Sequence, residues 1–204
     1  MINRISKKIL YALSKDKTDE EKEILLFGIT RIVEDIPKTI GIMIIGLMLN
    51  IIKEIAIATI VIILYKTFVG GVHAKTNLGC FVYSTMFYLA IVYTAKYFSF
   101  TNEYKILMYS LIYVFAIYCI FVYVPADVIE IPKVNLKLRK TLKIKSLIML
   151  NVIYIVANLI IKDALIQNLV IYSVFYISLM TTRIMYKLFK AEYGFESYVP
   201  DELI

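Results

Sequence analysis

Apolar residues fall along this chain in two patterns. Over the first 35 positions they recur between charges at helical spacing, and from residue 37 onward they form near-continuous blocks parted by short polar breaks. Ile2, Ile5, Ile9, Leu10 and Leu13 share one helical face, with Arg4, Lys7 and Lys8 between them. That pattern predicts a basic amphipathic helix lying on an anionic membrane surface, the alternative being a terminal helix packed on its own domain. A signal peptide is not expected, because a continuous apolar run and a small-residue cleavage site are lacking. Thr18 followed by Glu21 has the spacing of a capping box and opens a second amphipathic helix over 19–35, after which Pro37 marks a kink or a restart.

The apolar blocks predict membrane segments near 37–52, 54–68, 79–98, 104–124, 146–161 and 164–184. Between them lie "NIIKE", a Gly-Gly stretch, "SFTNEYK", a loop over 125–145 and "KDA". The first two segments are short for a hydrocarbon layer of about 30 Å, so they tilt, thin the membrane or form a hairpin that does not fully cross. In each case the chain returns to the side it left. The expected architecture is all-α: one integral-membrane domain over 1–204, with amphipathic helices over 1–35, a bundle of about six helices over 37–184 and a basic loop over 125–145.

Composition agrees with this pattern. Of 204 residues 60% are hydrophobic and 19% charged, with mean hydropathy +0.75, where soluble domains carry more charge and less apolar surface. Seventeen Tyr and eleven Phe suit interfacial belts, although Trp is absent. Charge sets the orientation. With six segments, one side receives 19 of the 23 Lys and Arg, and the other only Lys53, Lys96, Lys105 and Lys162. The positive-inside rule places both termini, the Gly-Gly stretch and the basic loop in the cytoplasm of a multi-pass cell-membrane protein. The basic balance thus serves topology, and no nucleic-acid partner is expected. Two distant cysteines do not suggest a disulfide framework, and Cys119 within "AIYCIF" reads as an inert apolar residue.

The scarce reactive groups gather in "KTFVGGVHAKTNLGC", Lys66 to Cys80, which holds the only histidine and one of the two cysteines. On one continuous helix His73 and Cys80 would lie about 10 Å apart along the axis, whereas a base must approach its nucleophile to about 3 Å. A working pair therefore needs His73 on a loop folded over the start of a helix. Gly70 and Gly71 supply the backbone freedom for such a loop, and Thr76 or Asn77 can cap the helix. Were Asn77 the cap, Cys80 would sit in the first turn, where unpaired N–H groups and the helix dipole favour a thiolate and can hold the oxyanion of a tetrahedral intermediate. This chemistry suits acyl transfer from a peptide bond. The bland alternatives are a snorkelling or capping histidine and a cysteine that merely packs. A metal site is not expected, since no second histidine or close carboxylate completes a ligand set, and no cofactor is implied.

"GGVHAKTNLGC", together with the chain length, the multi-pass layout, Lys66 and the "VPADVIEIP" segment, resembles the AgrB family, the accessory gene regulator protein B membrane peptidases of Gram-positive bacteria. The resemblance implies a cysteine endopeptidase with Cys80 as nucleophile and His73 as general base. Lys66 and Gly71 become supporting residues beside Gly70 and Asn77. It implies an AgrD-like pro-peptide substrate with an amphipathic leader, a Cys- or Ser-containing core and an acidic tail, and a homodimer in contact with membrane lipids. Two departures stand out. Many relatives carry Arg where Lys66 stands, and some carry lysines between the two loop prolines, where this chain has "ADVIEI". The basic function then moves to Lys133, Lys137, Arg139, Lys140 and Lys143, which would hold the acidic tail or lipid headgroups. Glu34, Asp35, Ser84 and Asn151 each qualify as a third member orienting His73, and the sequence does not choose among them. Asn151, Asn158 and Asn168 equally suit interhelical hydrogen bonds. The competing class is a small transporter, which would place ionisable groups deep in the membrane along a pathway. Here the mid-segment positions are nearly all apolar.

Overall fold

Long apolar runs without internal turn residues leave the backbone one way to satisfy its N–H and C=O groups, within helices. The computed structural model is accordingly helical; it describes residues 2–14, 18–72, 74, 76–98, 102–129 and 133–198. The chain divides into two compact units, Met1–Ile52 and Lys53–Ile204.

In the first unit α1 (Ile2–Leu13) packs against α2 (Asp19–Met48). Pro37 lies inside α2 and neither ends nor restarts it. A proline removes one N–H bond and crowds the preceding turn. The helix nonetheless runs through from Asp19 to Met48, and Lys38 pairs with Asp35 at 3.0 Å across the site. The second amphipathic helix and the first apolar block are therefore one helix. It closes at Asn50, whose φ of +56 suits the left-handed position after a helix end.

The second unit holds α3 (Ile52–Val69), α4 (Asn77–Tyr97), α5 (Asn102–Val122), α6 (Leu136–Ile155) continued by a π turn Val156–Ile160, α7 (Ala164–Leu179), α8 (Arg183–Leu188) and α9 (Gly194–Tyr198). At its centre is α7, in which every residue from Gln167 to Val174 is buried. Both α4 and α5 pack along it. Tyr176 bonds Thr94 of α4 at 3.0 Å, and Tyr109 of α5 donates to Asn168 at 2.7 Å. Asn168 also donates to the Ala95 carbonyl, and Asn151 of α6 accepts from Tyr113 of α5. Both asparagines thus make interhelical bonds, while Asn158 bonds its own helix at Tyr154.

The outer faces are apolar as well. Ile60, Ile63, Leu107, Leu111, Val114, Ile148, Val152 and Ile155 are all exposed. Helices that are apolar all round belong in lipid. Three are long and apolar enough to cross a membrane among the described residues: Asn77–Tyr97, Tyr104–Val122 and Leu136–Ile160. Ala164–Leu179 is apolar but shorter. Of the six crossings expected, these three are the ones the described helices show by length and composition, and the chain is a membrane protein. The second half of the loop expected over 125–145 is helix, because α6 starts at Leu136. Lys, Arg and Leu are good helix formers, and Asn135 caps them by accepting the Leu138 N–H at 3.1 Å.

Candidate active site

The Gly-Gly stretch leaves α3 in a conformation open chiefly to glycine. Gly70 has φ +80 and Gly71 φ +136. Gly70 forms a parallel bridge to Ala126 in the segment after α5. The Ala126 N–H donates to the Val69 carbonyl and the Gly71 N–H to the Ala126 carbonyl, each at 2.9 Å. A Cβ on Gly70 would stand 2.1 Å from the Ala126 oxygen, so the close approach itself requires glycine. On its other side the segment meets the end of α7, where the Val72 N–H donates to the Met180 carbonyl at 3.2 Å. There the Thr181 and Thr182 hydroxyls bond the carbonyls of Ser178 and Leu179, closing α7 and turning the chain into α8. Val72, Ala126, Val128 and Tyr186 form a buried cluster over this junction.

Beyond Val72 the chain enters α4. Thr76 is its N-cap: the hydroxyl accepts the Gly79 N–H at 3.0 Å, and the Thr76 carbonyl accepts the Cys80 N–H at 2.8 Å. The cap is Thr76 rather than Asn77, so Asn77 is the first helical residue and the backbone N–H of Cys80 is already used. Any N–H groups open to an anion are those of Asn77 and Leu78. A Cβ on Gly79 would lie 2.7 Å from the Thr76 hydroxyl, and so Gly79 makes room for the cap. The same Cβ position is 3.7 Å from the Ala74 methyl, which places Ala74 over the first turn of α4. Cys80 is a free, partly exposed thiol, whereas Cys119 is buried. His73 lies outside the described residues. Lys66 occupies the last turn of α3, where its carbonyl accepts the Gly70 N–H at 2.8 Å.

A second charge centre adjoins the Gly-Gly bridge. Asp127 is buried, yet its Oδ2 accepts the Lys133 N–H at 2.6 Å and pairs with the Arg139 guanidinium of α6 at 3.2 Å. Tyr186 of α8 donates to the Asp127 carbonyl at 2.8 Å and stacks on Tyr193 at 3.8 Å. Burial, with the Tyr193 and Asp127 neighbours, pushes the Tyr186 hydroxyl above the usual phenol range. Tyr193 in turn donates to the Thr181 carbonyl, and Tyr83 of α4 packs on Phe189 at 4.5 Å. The starts of α4 and α6, the ends of α3, α5 and α7, and the two short C-terminal helices thus meet at one end of this unit.

The five basic residues expected to hold an acidic tail divide in two. Lys137 and Lys140 are exposed on the first turns of α6. Arg139 is engaged by Asp127 and lies 4.0 Å over the Phe195 ring, and Lys143 donates to the Phe121 carbonyl at 2.8 Å. Lys133 is half-buried, and that burial holds its ammonium below the usual lysine range despite Asp127 nearby. Asp127 was not singled out by sequence reasoning, although it is the one acid among apolar neighbours in "PADVI". Of the residues considered for orienting the base, Asn151 is spent on Tyr113 and the Leu147 carbonyl. Among the described residues no three His, Cys, Asp or Glu side chains gather as metal ligands would.

The family model described as Accessory gene regulator B matches residues 2–185. The chain belongs to the AgrB family. An AgrB-like protein of Clostridium perfringens strain SM101 is 27% identical over 157 residues, which cover 74% of this chain and 73% of the relative. A similar protein of Clostridium acetobutylicum is 27% identical over 176 residues, covering 84% and 82%. No solved structure matches the chain. Membership in the AgrB family gives the chain the general role of that family, quorum-sensing-related peptide processing at a membrane.

Proposed function

We propose that this AgrB-family protein is a cysteine endopeptidase that removes the C-terminal tail of an AgrD-like pro-peptide and promotes ring closure of the core. The observation that carries the reading is Cys80, a partly exposed thiol in the capped first turn of α4, which follows a Gly-Gly segment pinned between the Ala126 backbone and the end of α7. The Cys80 sulfur attacks the carbonyl carbon joining core to tail. The imidazole of His73 takes the thiol proton and delivers it to the leaving amine of the tail. A thioester between core and Cys80 remains. A thiol or hydroxyl of the core then attacks that carbonyl, its proton returns through the imidazole to the Cys80 sulfur, and a thiolactone or lactone is released. Exchange of one thioester for another is nearly balanced in energy, whereas water would hydrolyse the intermediate, and a sheltered pocket favours the ring.

In this reading the site, both termini and the basic start of α6 face the cytoplasm, and two copies form a dimer in the cell membrane. Lys137 and Lys140 hold the acidic tail, because they are exposed near this end. Replacing Cys80 by Ala or Ser, or His73 by Ala, should abolish precursor cleavage while the protein still inserts in the membrane. Normal processing by the Cys80→Ala protein would end the proposal.

A further inference from the structure

The helix that carries Cys80 fixes the direction in which it points. At 3.6 residues per turn, Phe87 and Ile91 lie within about 20° of Cys80 around α4, two and three turns further on. Ile91 is fully buried, and the Phe87 ring meets the Tyr176 ring of α7 edge-on at 5.7 Å. Thr94 bonds the same tyrosine, while Ala95 meets Asn168, two turns earlier in α7. The two helices therefore run antiparallel, and the stripe that begins at Cys80 faces the end of α7 and the turn into α8. Met180, one turn beyond Tyr176, and Phe189, which closes α8, both pack on the buried cluster of Val72, Ala126, Val128 and Tyr186. Tyr83 is three residues after Cys80, hence its neighbour on the helix surface, and its ring lies 4.5 Å from that of Phe189. Helical side chains lean toward the N-terminus, which carries the Tyr83 ring over the turn that holds Cys80. Phe189 is anchored on the cluster while Tyr83 stays 47% exposed, so a rigid aromatic face is open beside the thiol. From Thr76 to Ala95 the chain has no charged side chain.

We propose that Tyr83 and Phe189 form the specificity wall of the Cys80 site, taking an apolar side chain from the residue whose carbonyl the sulfur attacks. This rests on the peptidase reading above and adds to it the class of residue that precedes the cut. The attacked carbonyl carbon must come within bonding reach of the sulfur, and the Cα bearing that side chain is one bond further. The side chain therefore falls in the first few ångströms around Cys80, the region that a neighbour three positions along the helix occupies, with Cβ atoms about 5–6 Å apart. An aliphatic or aromatic group there buries apolar surface against both rings. A carboxylate would lose its water with no cation along the start of α4 to replace it.

The test uses N-acetyl aminoacyl chloromethyl ketones, which set one chosen side chain beside a carbonyl and alkylate the attacking sulfur. The full chain in vesicles is treated with the Phe, Leu, Ala and Asp forms, and the adduct on Cys80 is timed by mass spectrometry. The Phe and Leu forms should react faster than the Ala form, and the Asp form slowest. Lipid also concentrates the apolar probes, so the deciding quantity is how the Phe-to-Ala rate ratio changes between variants in the same vesicles. Tyr83→Ala and Phe189→Ala should each lower that ratio by about tenfold, the size of a lost apolar contact in a subsite. Phe189→Leu, which keeps apolar bulk, should retain most of it. A pair that only packs α8 on α4 would slow both probes by one factor and leave the ratio at its wild-type value, which would overturn the proposal. An Asp form as fast as the Phe form would overturn it as well. Buried Cys119 reports folding. Should Phe189→Ala make it reactive, Tyr83→Ala carries the comparison, because the Tyr83 ring is half exposed. Cys80 labelled with an unchanged ratio would remove this inference alone, whereas no adduct on Cys80 from any form would remove the nucleophile, and with it both readings.

Discussion

Gly70 shows how tightly the site is built at the level of one residue. Its φ is +80 and its missing Cβ would fall 2.1 Å from a backbone oxygen, while a Cβ on Gly71 would make ordinary contacts at 3.6 Å with Met180. Both substitutions carry the strain of positive φ, but only the first must break the bridge to Ala126. Gly70→Ala should therefore lower the thermal midpoint of the detergent-solubilised protein and its processing activity markedly more than Gly71→Ala. Equal losses would mean that the bridge is not what holds the segment. The α4 cap gives a sharper prediction. Thr76→Ala removes the hydroxyl that accepts the Gly79 N–H, and Gly79→Ala pushes against that hydroxyl at 2.7 Å. Each should cost about 1 kcal/mol of stability, as lost N-caps do. Because they damage one interaction, the double variant should lose little more than either single one. Additive losses would separate Gly79 from the cap.

At the scale of elements, α6 changes what the basic stretch does. Read along the chain, "KVNLKLRKTLKIK" is charge, and charge reads as solvent-exposed loop. In the structure Asn135 caps a helix that starts at Leu136, and successive turns send Arg139 to Asp127, Lys143 to the end of α5, and Lys137 and Lys140 to the surface. Reversing Lys137 and Lys140 to Glu should weaken binding of an acidic-tailed peptide while Cys119 stays buried, and raised salt should shrink the difference. Unchanged affinity would leave those lysines to the lipid surface. Reversing Arg139 breaks a largely buried ion pair and so reports on the fold as well. The start of α4 was legible in sequence to within one or two residues, since cap chemistry is local. The junction of residues 70–72 with 125–128 was not, because pairing between segments more than fifty positions apart leaves no local pattern. Asp127 escaped notice for that reason: its partners Arg139 and Tyr186 come from two other helices. Of the kink or restart read at Pro37, the restart is absent for the opposite reason, a strong local signal overridden by a helix that continues on both sides.

Over the whole molecule, membership in the AgrB family, apolar faces turned both inward and outward, and three spans long enough to cross make a membrane protein. The all-helical class was plain from the apolar blocks. The lengths of the helices were less plain, because the apolar blocks in sequence do not separate the long helices from the shorter α7 at the centre of the unit. The charge asymmetry predicts that a cysteine placed at Lys137 is shielded from an impermeant thiol reagent outside the cell, while one at Lys162 is labelled. The reverse pattern would invert the proposed orientation. The account stands on a covalent bond between substrate core and Cys80, and intact-protein mass spectrometry reads that bond directly. The reconstituted chain, mixed with a precursor that it cleaves but whose ring-closing residue is replaced by Ala, should gain the mass of leader and core on the peptide containing Cys80, with none in the Cys80→Ala protein. Tail release with no mass added at Cys80, or an adduct at another residue, would contradict it.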